Sequence, residues 1–152
     1  MDWVVFLRLL HLLGAFLFVG VHGATAAVTF RLMRERNPVR VRAYLELSRT
    51  TRTAMYLSFL LLLGAGLALT YARGWEHTYW PWVSLALLLA LFGAAIPLAV
   101  PYYRAVRLAA EADPPDLAKL GELLDKPRGL VLAMVETTGI IIIIYLMVYK
   151  PF

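Results

Sequence analysis

WVVFLRLLHLLGAFLFVGVHGATAAVTF, residues 3–30, holds Arg8, His11 and His22 as its only ionisable groups in a run otherwise apolar enough to sit in hydrocarbon. About 20 residues at about 1.5 Å rise suffice to cross a bilayer core as a helix, so this stretch reads as a transmembrane span. It follows Met1-Asp2 instead of a basic leader and ends at Arg31 and Arg34. Those flanks, and its length, predict a retained span and not a cleaved signal peptide. Three further nearly uncharged runs cover 54–72, 80–103 and 130–148. The expected fold is therefore all-α: one antiparallel four-helix transmembrane domain over 1–152.

Composition agrees with that class. The 152 residues are 61% hydrophobic, with a mean hydropathy of +0.71, outside the range of ordinary soluble domains. The absence of cysteine excludes disulfides, thiolate metal sites, thiol catalysis and cysteine-linked haem or lipid. Between the first two runs lie Arg31, Arg34, Arg36, Arg40, Arg42, Arg49 and Arg52; between the last two lie Arg104, Arg107, Lys119, Lys126 and Arg128. These are twelve of the fifteen basic residues, all on one side of a four-span topology. The positive-inside rule assigns that side to the cytoplasm and both termini to the outside. Trp3, Trp75, Trp80 and Trp82, with Tyr71, Tyr79, Tyr145 and Tyr149, gather at the opposite end as an interfacial belt. The net charge of +5 thus orients the chain and meets anionic lipid; nucleic acid is not an expected partner.

Two segments on the basic side are amphipathic. Asn37-Pro38 has the form of an N-cap followed by a first-turn proline, and no breaker intervenes before Gly64-Ala65-Gly66. The second helix is expected to extend below the membrane, with Val39, Val41, Tyr44, Leu45 and Leu47 at the headgroups or packed beneath the bundle. The stretch EADPPDLAKLGELLDKPRG, residues 111–129, predicts a surface helix begun by Pro114-Pro115 and ended by Pro127, with Leu117, Leu120, Leu123 and Leu124 as its apolar side. Pro97 and Pro101 are expected to kink the third span and free carbonyls of the preceding turn.

Within the first span, positions 8, 11, 15, 18, 22, 25 and 29 collect Arg8, His11, Ala15, Phe18, His22, Thr25 and Thr29 on one helical stripe. Ionisable groups are costly against lipid, so the stripe is expected to face the bundle, a partner or a cavity. Gly20, Gly23, Ala24 and Ala27 have the small-residue spacing of a close helix contact, within the bundle or in a homodimer.

Depth narrows the partners. His22 lies about 12 Å from the basic end of its helix, and Glu136, the one acidic residue within a span, lies about 10 Å from the basic start of the last helix. A His22–Glu136 contact would lower the cost of burying both. It would serve as a structural hydrogen bond, as a carboxylate orienting a ligating histidine, or as one step of a proton path with Thr25 and Thr137. His11 stands about 16 Å from His22 on the same face, a separation that suits two stacked haems held along one helix. A second axial ligand would come from His77 for an outer haem, and from Met55, Met134 or a second subunit at His22. Arg8 either snorkels to the interface or pairs with a haem propionate at His11. One zinc ion shared by His11, His22 and Glu136 fails on distance, because its bonds are about 2 Å long. Copper held by Met55, Met134 or Met147 with one histidine is a weaker alternative, since methionines in apolar helices serve mostly as packing.

FLRLLHLLGAFLFVGVHG at 6–23 and IIYLMVYKPF at 143–152 resemble a group of small four-helix bacterial membrane proteins. The group contains the copper-resistance D-type membrane domain, an uncharacterised family of predicted integral membrane proteins, and the four-helix protoporphyrinogen oxidase. The resemblance covers the first helix and the last dozen residues. It implies that His11 matches the first-helix histidine believed to bind haem b in the oxidase family. The oxidase's third-helix lysine has no counterpart between Thr78 and Tyr103, and its last-helix polar motif is replaced by VETTG at 135–139. The uncharacterised family is therefore the nearer relative.

The first functional expectation is an integral membrane haem b protein in membrane electron transfer, with iron on His11 and with His22, Arg8 and His77 around the cofactor. The second is a non-catalytic subunit or scaffold of a larger membrane complex, or a homodimer. The third, transport of a metal ion or small solute past the proline kink, needs two alternating states that a chain without internal repeats would reach only as a dimer.

Overall fold

The computed structural model describes residues 2–151; Met1 and Phe152, the two ends of the expected domain, lie outside the described residues. The described chain is a bundle of α-helices: α1 (Trp3–Arg34), α2 (Pro38–Ala72), α3 (Trp80–Glu111), α4 (Leu117–Asp125) and α5 (Arg128–Tyr149), with a single 3-10 turn at Trp75–His77. α1, α2, α3 and the α4–α5 segment are each long and apolar enough to cross a membrane. The protein is an integral membrane protein with four spans, and its lateral faces contact lipid.

α1, α2 and α4 begin where the sequence supplies a side-chain cap. The Asp2 carboxylate accepts from Val4 N at 3.0 Å, the Asn37 carbonyl from Val39 N at 2.9 Å, and the Asp116 carboxylate from Lys119 N at 2.9 Å. The Asn37-Pro38 start is thus as expected. The surface helix starts two residues after Pro115, because Asp116 provides the acceptor that Pro114 and Pro115 lack. Between α1 and α2 the Glu35 carboxylate accepts from the backbone N–H of Asn37 and of Arg36, and these bonds hold its pKa below the ordinary carboxylate range. At the opposite end Gly74 turns the chain with φ 69°, a left-handed conformation that glycine adopts without steric cost. Lys150 Nζ lies 4.1 Å from the Trp75 ring centroid, which ties the end of α5 to the tryptophan-rich turn.

Two cores stack along the bundle axis. Beneath the membrane, at the basic end, Val41 and Leu45 of α2 pack with Leu32 of α1, Tyr102 and Val106 of α3, and Leu120, Leu123 and Leu124 of α4. Val41, Leu45 and Tyr44 of the amphipathic start of α2 therefore pack beneath the bundle, whereas Val39 and Leu47, expected with them, are 62% and 49% exposed. Leu117, expected on the apolar side of α4, is 60% exposed, since the first turn of that helix projects past the core. Within the membrane, Phe18, Phe59, Leu62, Leu88 and Ile143 form the second core, with Phe59 stacked on Phe92 at 4.2 Å between centroids.

α1 and α2 form the tightest seam. A Cβ placed on Gly14 would stand 2.7 Å from Leu62 N and 2.9 Å from Leu62 Cα, so the two backbones touch there. Gly20 and Gly23, with Ala24 and Ala27, behave otherwise: all four are exposed, and a Cβ added at either glycine meets nothing within 4 Å. The close contact that small residues permit is made at Gly14, one turn from His11, and not by the 20–27 patch. α3 runs through Pro97 and Pro101 as one helix, with both prolines exposed.

Candidate functional site

Between the two cores lies a cavity of about 510 Å³ walled by all four spanning helices. α1 contributes Phe18, His22, Thr25 and Thr29, which are the basic-end half of the stripe read from the sequence. α5 contributes Gly129, Ala133, Glu136 and Ile140, again at helical spacing, and α2 contributes Met55 and Arg52. The wall from α3 runs from Leu88 through Phe92 and Ala99 to Tyr103, Arg104 and Arg107. Its volume is within the roughly 300–1,000 Å³ of small-molecule sites.

The polar groups are graded along the axis. At the deep end the imidazole of His22 stacks on Phe18, with centroids 6.4 Å apart and planes at 20°. His22 Nδ1 is 3.7 Å from Glu136 Oε2, beyond a direct hydrogen bond but close enough for an electrostatic contact or one bridging water. His22 Nε2 is buried and has no hydrogen-bond partner. Such an atom carries a desolvation cost unless a ligand meets it.

Midway, Thr25 Oγ1 donates to Val21 O at 2.9 Å and Thr29 Oγ1 to Thr25 O at 3.0 Å. Because the Thr29 hydroxyl has one hydrogen and spends it on Thr25, the 2.7 Å contact with Tyr103 is donated by the tyrosine. The hydroxyl oxygen of Tyr103 keeps acceptor capacity. At the basic end Arg107 is held by Glu111 at 3.3 Å and Glu46 at 3.7 Å. None of the ion pairs among the described residues involves Arg52 or Arg104, and both border the cavity. The arrangement is an amphiphilic site, with apolar walls, an imidazole and carboxyl within, and two unpaired guanidinium groups at the mouth.

The residues singled out from the sequence divide accordingly. His22, Glu136 and Thr25 come together in the cavity. His11 does not border it; its Nδ1 is 3.1 Å from the carbonyl of Leu62, and its ring rests against Gly66 in the α1–α2 seam. Nδ1–H donating to that carbonyl fixes the tautomer with Nε2 unprotonated. Arg8 and Thr137 are exposed, and His77 is an exposed side chain 3.7 Å from Glu76 in the tryptophan-rich turn. Met134 is likewise exposed, whereas Met55 lines the cavity. Tyr103, Arg52 and Arg104 were missed as site residues. The helical spacing of Phe92, Ala95, Ala99, Tyr103 and Arg107 is the signal that identifies the face of α3 bearing Tyr103, with Arg104 beside it; Arg52 lies on α2, three residues before Met55.

No curated protein and no solved structure matches the chain. Residues 5–151 match the family described as Predicted integral membrane protein (DUF2269), which spans nearly the whole chain, and the protein belongs to that family.

Proposed function

We propose that the cavity binds haem b and that the protein takes part in electron transfer in the bacterial cytoplasmic membrane. The observation that carries this reading is His22, whose side chain lines the cavity while its Nε2 is buried without a partner and the Glu136 carboxyl stands 3.7 Å from the other ring nitrogen. A carboxylate behind an imidazole raises its basicity and fixes its orientation, as at metal-ligating histidines generally. Among the described residues no three His, Asp or Glu side chains stand together, so an iron at His22 would bring its equatorial donors with it, as a porphyrin does. Haem b, when bound, supplies a one-electron redox couple. Phe18, Leu88, Phe92 and Ile140 shield the interior from water, and Arg52 and Arg104 suit the two propionates. Met55 is the protein's candidate for the sixth ligand. The likeness of residues 6–23 and 143–152 to haem-binding four-helix proteins supports the same cofactor, although it selects His11; the cavity geometry favours His22.

Visible spectra of detergent-purified protein from haem-replete cells, oxidised and dithionite-reduced, test this. A Soret band with a sharp reduced α band is expected, lost in His22→Gly, restored there by imidazole, and retained in His11→Ala. Loss in His11→Ala alone would move the ligand to His11, and featureless spectra from wild type would overturn the reading. A second reading, a subunit of a homodimer or larger complex, rests on the exposed Gly20–Gly23–Ala24–Ala27 face. It predicts that Gly23→Leu disperses that assembly in a mild detergent without altering the spectrum.

A further inference from the structure

Glu136 borders a second space. A cleft of about 180 Å³ lies between α3 and α5, lined by Ala90, Ala94 and Leu98 on one side and Leu132 and Val135 on the other, with Glu136 as its only ionisable group. Ala90, Ala94, Leu98 and Val135 are exposed on apolar spans, so the cleft opens to lipid, not to water. Leu91 separates it from the larger cavity: that side chain borders both spaces and fills the notch left by Gly139, where an added Cβ would overlap its methyl groups. Glu136 therefore borders both the bundle interior and a cleft that opens to the bilayer.

We propose that this cleft binds the ring of a lipid-dissolved hydroquinone, with a ring hydroxyl donating to the Glu136 carboxyl. Three features select that chemistry. An apolar cavity of about 150 Å³ accommodates one benzene ring, and 180 Å³ accommodates a ring with small substituents. The single ionisable residue carries a carboxyl, which keeps an acceptor oxygen in either protonation state, so a ring hydroxyl finds an acceptor there whichever state it is in. The opening to hydrocarbon lets an apolar tail remain in the bilayer while the ring is seated. Choosing a hydroquinone among tailed ring alcohols rests on the haem reading, since it is the member that carries electrons; the size, donor and tail requirements do not.

Ala94 borders the cleft but not the larger cavity, which makes the two proposals separable. A decyl-tailed benzohydroquinone is titrated by calorimetry, under anaerobic conditions, into the full chain in phospholipid nanodiscs, with the absorption spectrum recorded on the same samples. Saturable binding of one molecule per chain is expected. It is weakened at least tenfold by Ala94→Phe, by Glu136→Leu and by use of the ring's dimethyl ether, while the spectrum of Ala94→Phe matches wild type. Should Ala94→Phe fail to fold, Ala90→Leu blocks the same cleft with a smaller side chain. No saturable binding to wild type, binding indifferent to both cleft substitutions, or equal binding of the dimethyl ether would overturn the proposal. Saturable, cleft-dependent binding to a protein without haem absorption would sustain the site and remove the haem reading alone.

Discussion

Gly14→Ala gives the sharpest test of the α1–α2 seam. The added Cβ would meet the backbone of α2 at 2.7 Å, and ordinary contact begins at 3.4 Å, so α2 must retreat by about 0.7 Å. Backbone atoms cannot rotate away. A gap of about 0.5–1 Å forfeits a quarter to a half of each dispersion contact along the seam, and overpacking of this kind costs about 1–3 kcal/mol. The same retreat stretches the His11–Leu62 bond from 3.1 Å beyond hydrogen-bond range, a further loss of about 0.6 kcal/mol inside a membrane. Alanine's helix preference over glycine returns about 1 kcal/mol. The net loss is about 0.6–2.6 kcal/mol, a factor of about 3–80 in the unfolding equilibrium. Reversible unfolding in mixed micelles, followed by far-ultraviolet circular dichroism, reads it directly. Gly20→Ala is the internal control: its Cβ meets nothing within 4 Å, and it is expected to match or exceed wild type. Equal stability of Gly14→Ala and Gly20→Ala would refute the reasoning, because it would mean the two backbones do not touch.

Gly66→Ala should displace the His11 ring, whose Cε1 and Nδ1 lie 2.9 Å from the added Cβ, and so break the Leu62 bond without parting the helices. A loss of about 1 kcal/mol or less on the same unfolding assay, absent in the His11→Ala background, is the expected result. Leu124→Ala removes a side chain 1% exposed in the basic-end core and should cost about 2–5 kcal/mol, visible as faster tryptic cleavage after Lys119 of the loosened α4. The ammonium groups of Lys119 and Lys126, each 2.8 Å from Glu122, hold its carboxyl far below the ordinary 4.5, at about 2. A depressed carboxyl stabilises the fold above its unfolded value, and the contribution fades as pH falls from about 4.5 towards 2. A carboxyl carbon NMR titration of Glu122 should therefore show its midpoint near 2, and a midpoint in the ordinary range would exclude the double pairing.

The spans and the packed face of α1 were legible because hydrocarbon is an unforgiving solvent. Twenty uncharged residues, tryptophans at one end and arginines at the other, leave few architectures open. The His22–Glu136 contact was legible for the same reason, since both residues pay for burial and stand at one depth. Two things were missed. Small-residue spacing alone drew attention to the 20–27 patch, but at about 100° per residue Gly14 falls on the side of the His11–His22 stripe while Gly20, Gly23, Ala24 and Ala27 fall on the far side, so the packed face itself selects Gly14 for the seam. The cavity was hidden as well, because it arises where the two cores fail to meet, between Leu45 below and Phe18 and Leu88 above. Tyr103 and Arg104 become site residues only through that gap.

The seam at Gly14 also bears on how the polypeptide is assembled as it leaves the ribosome. α1 and α2 adjoin in sequence, and both partners of their closest contact are synthesised before α3. Local contacts of this kind form early, so the hairpin that carries Phe18, His22 and Met55 is set first, while the rest of the wall is still to come. Glu136 arrives last, on α5. Completion of the cavity is thus a late event, and a chain truncated before α5 would retain His22 on its hairpin without the carboxyl that stands 3.7 Å from it.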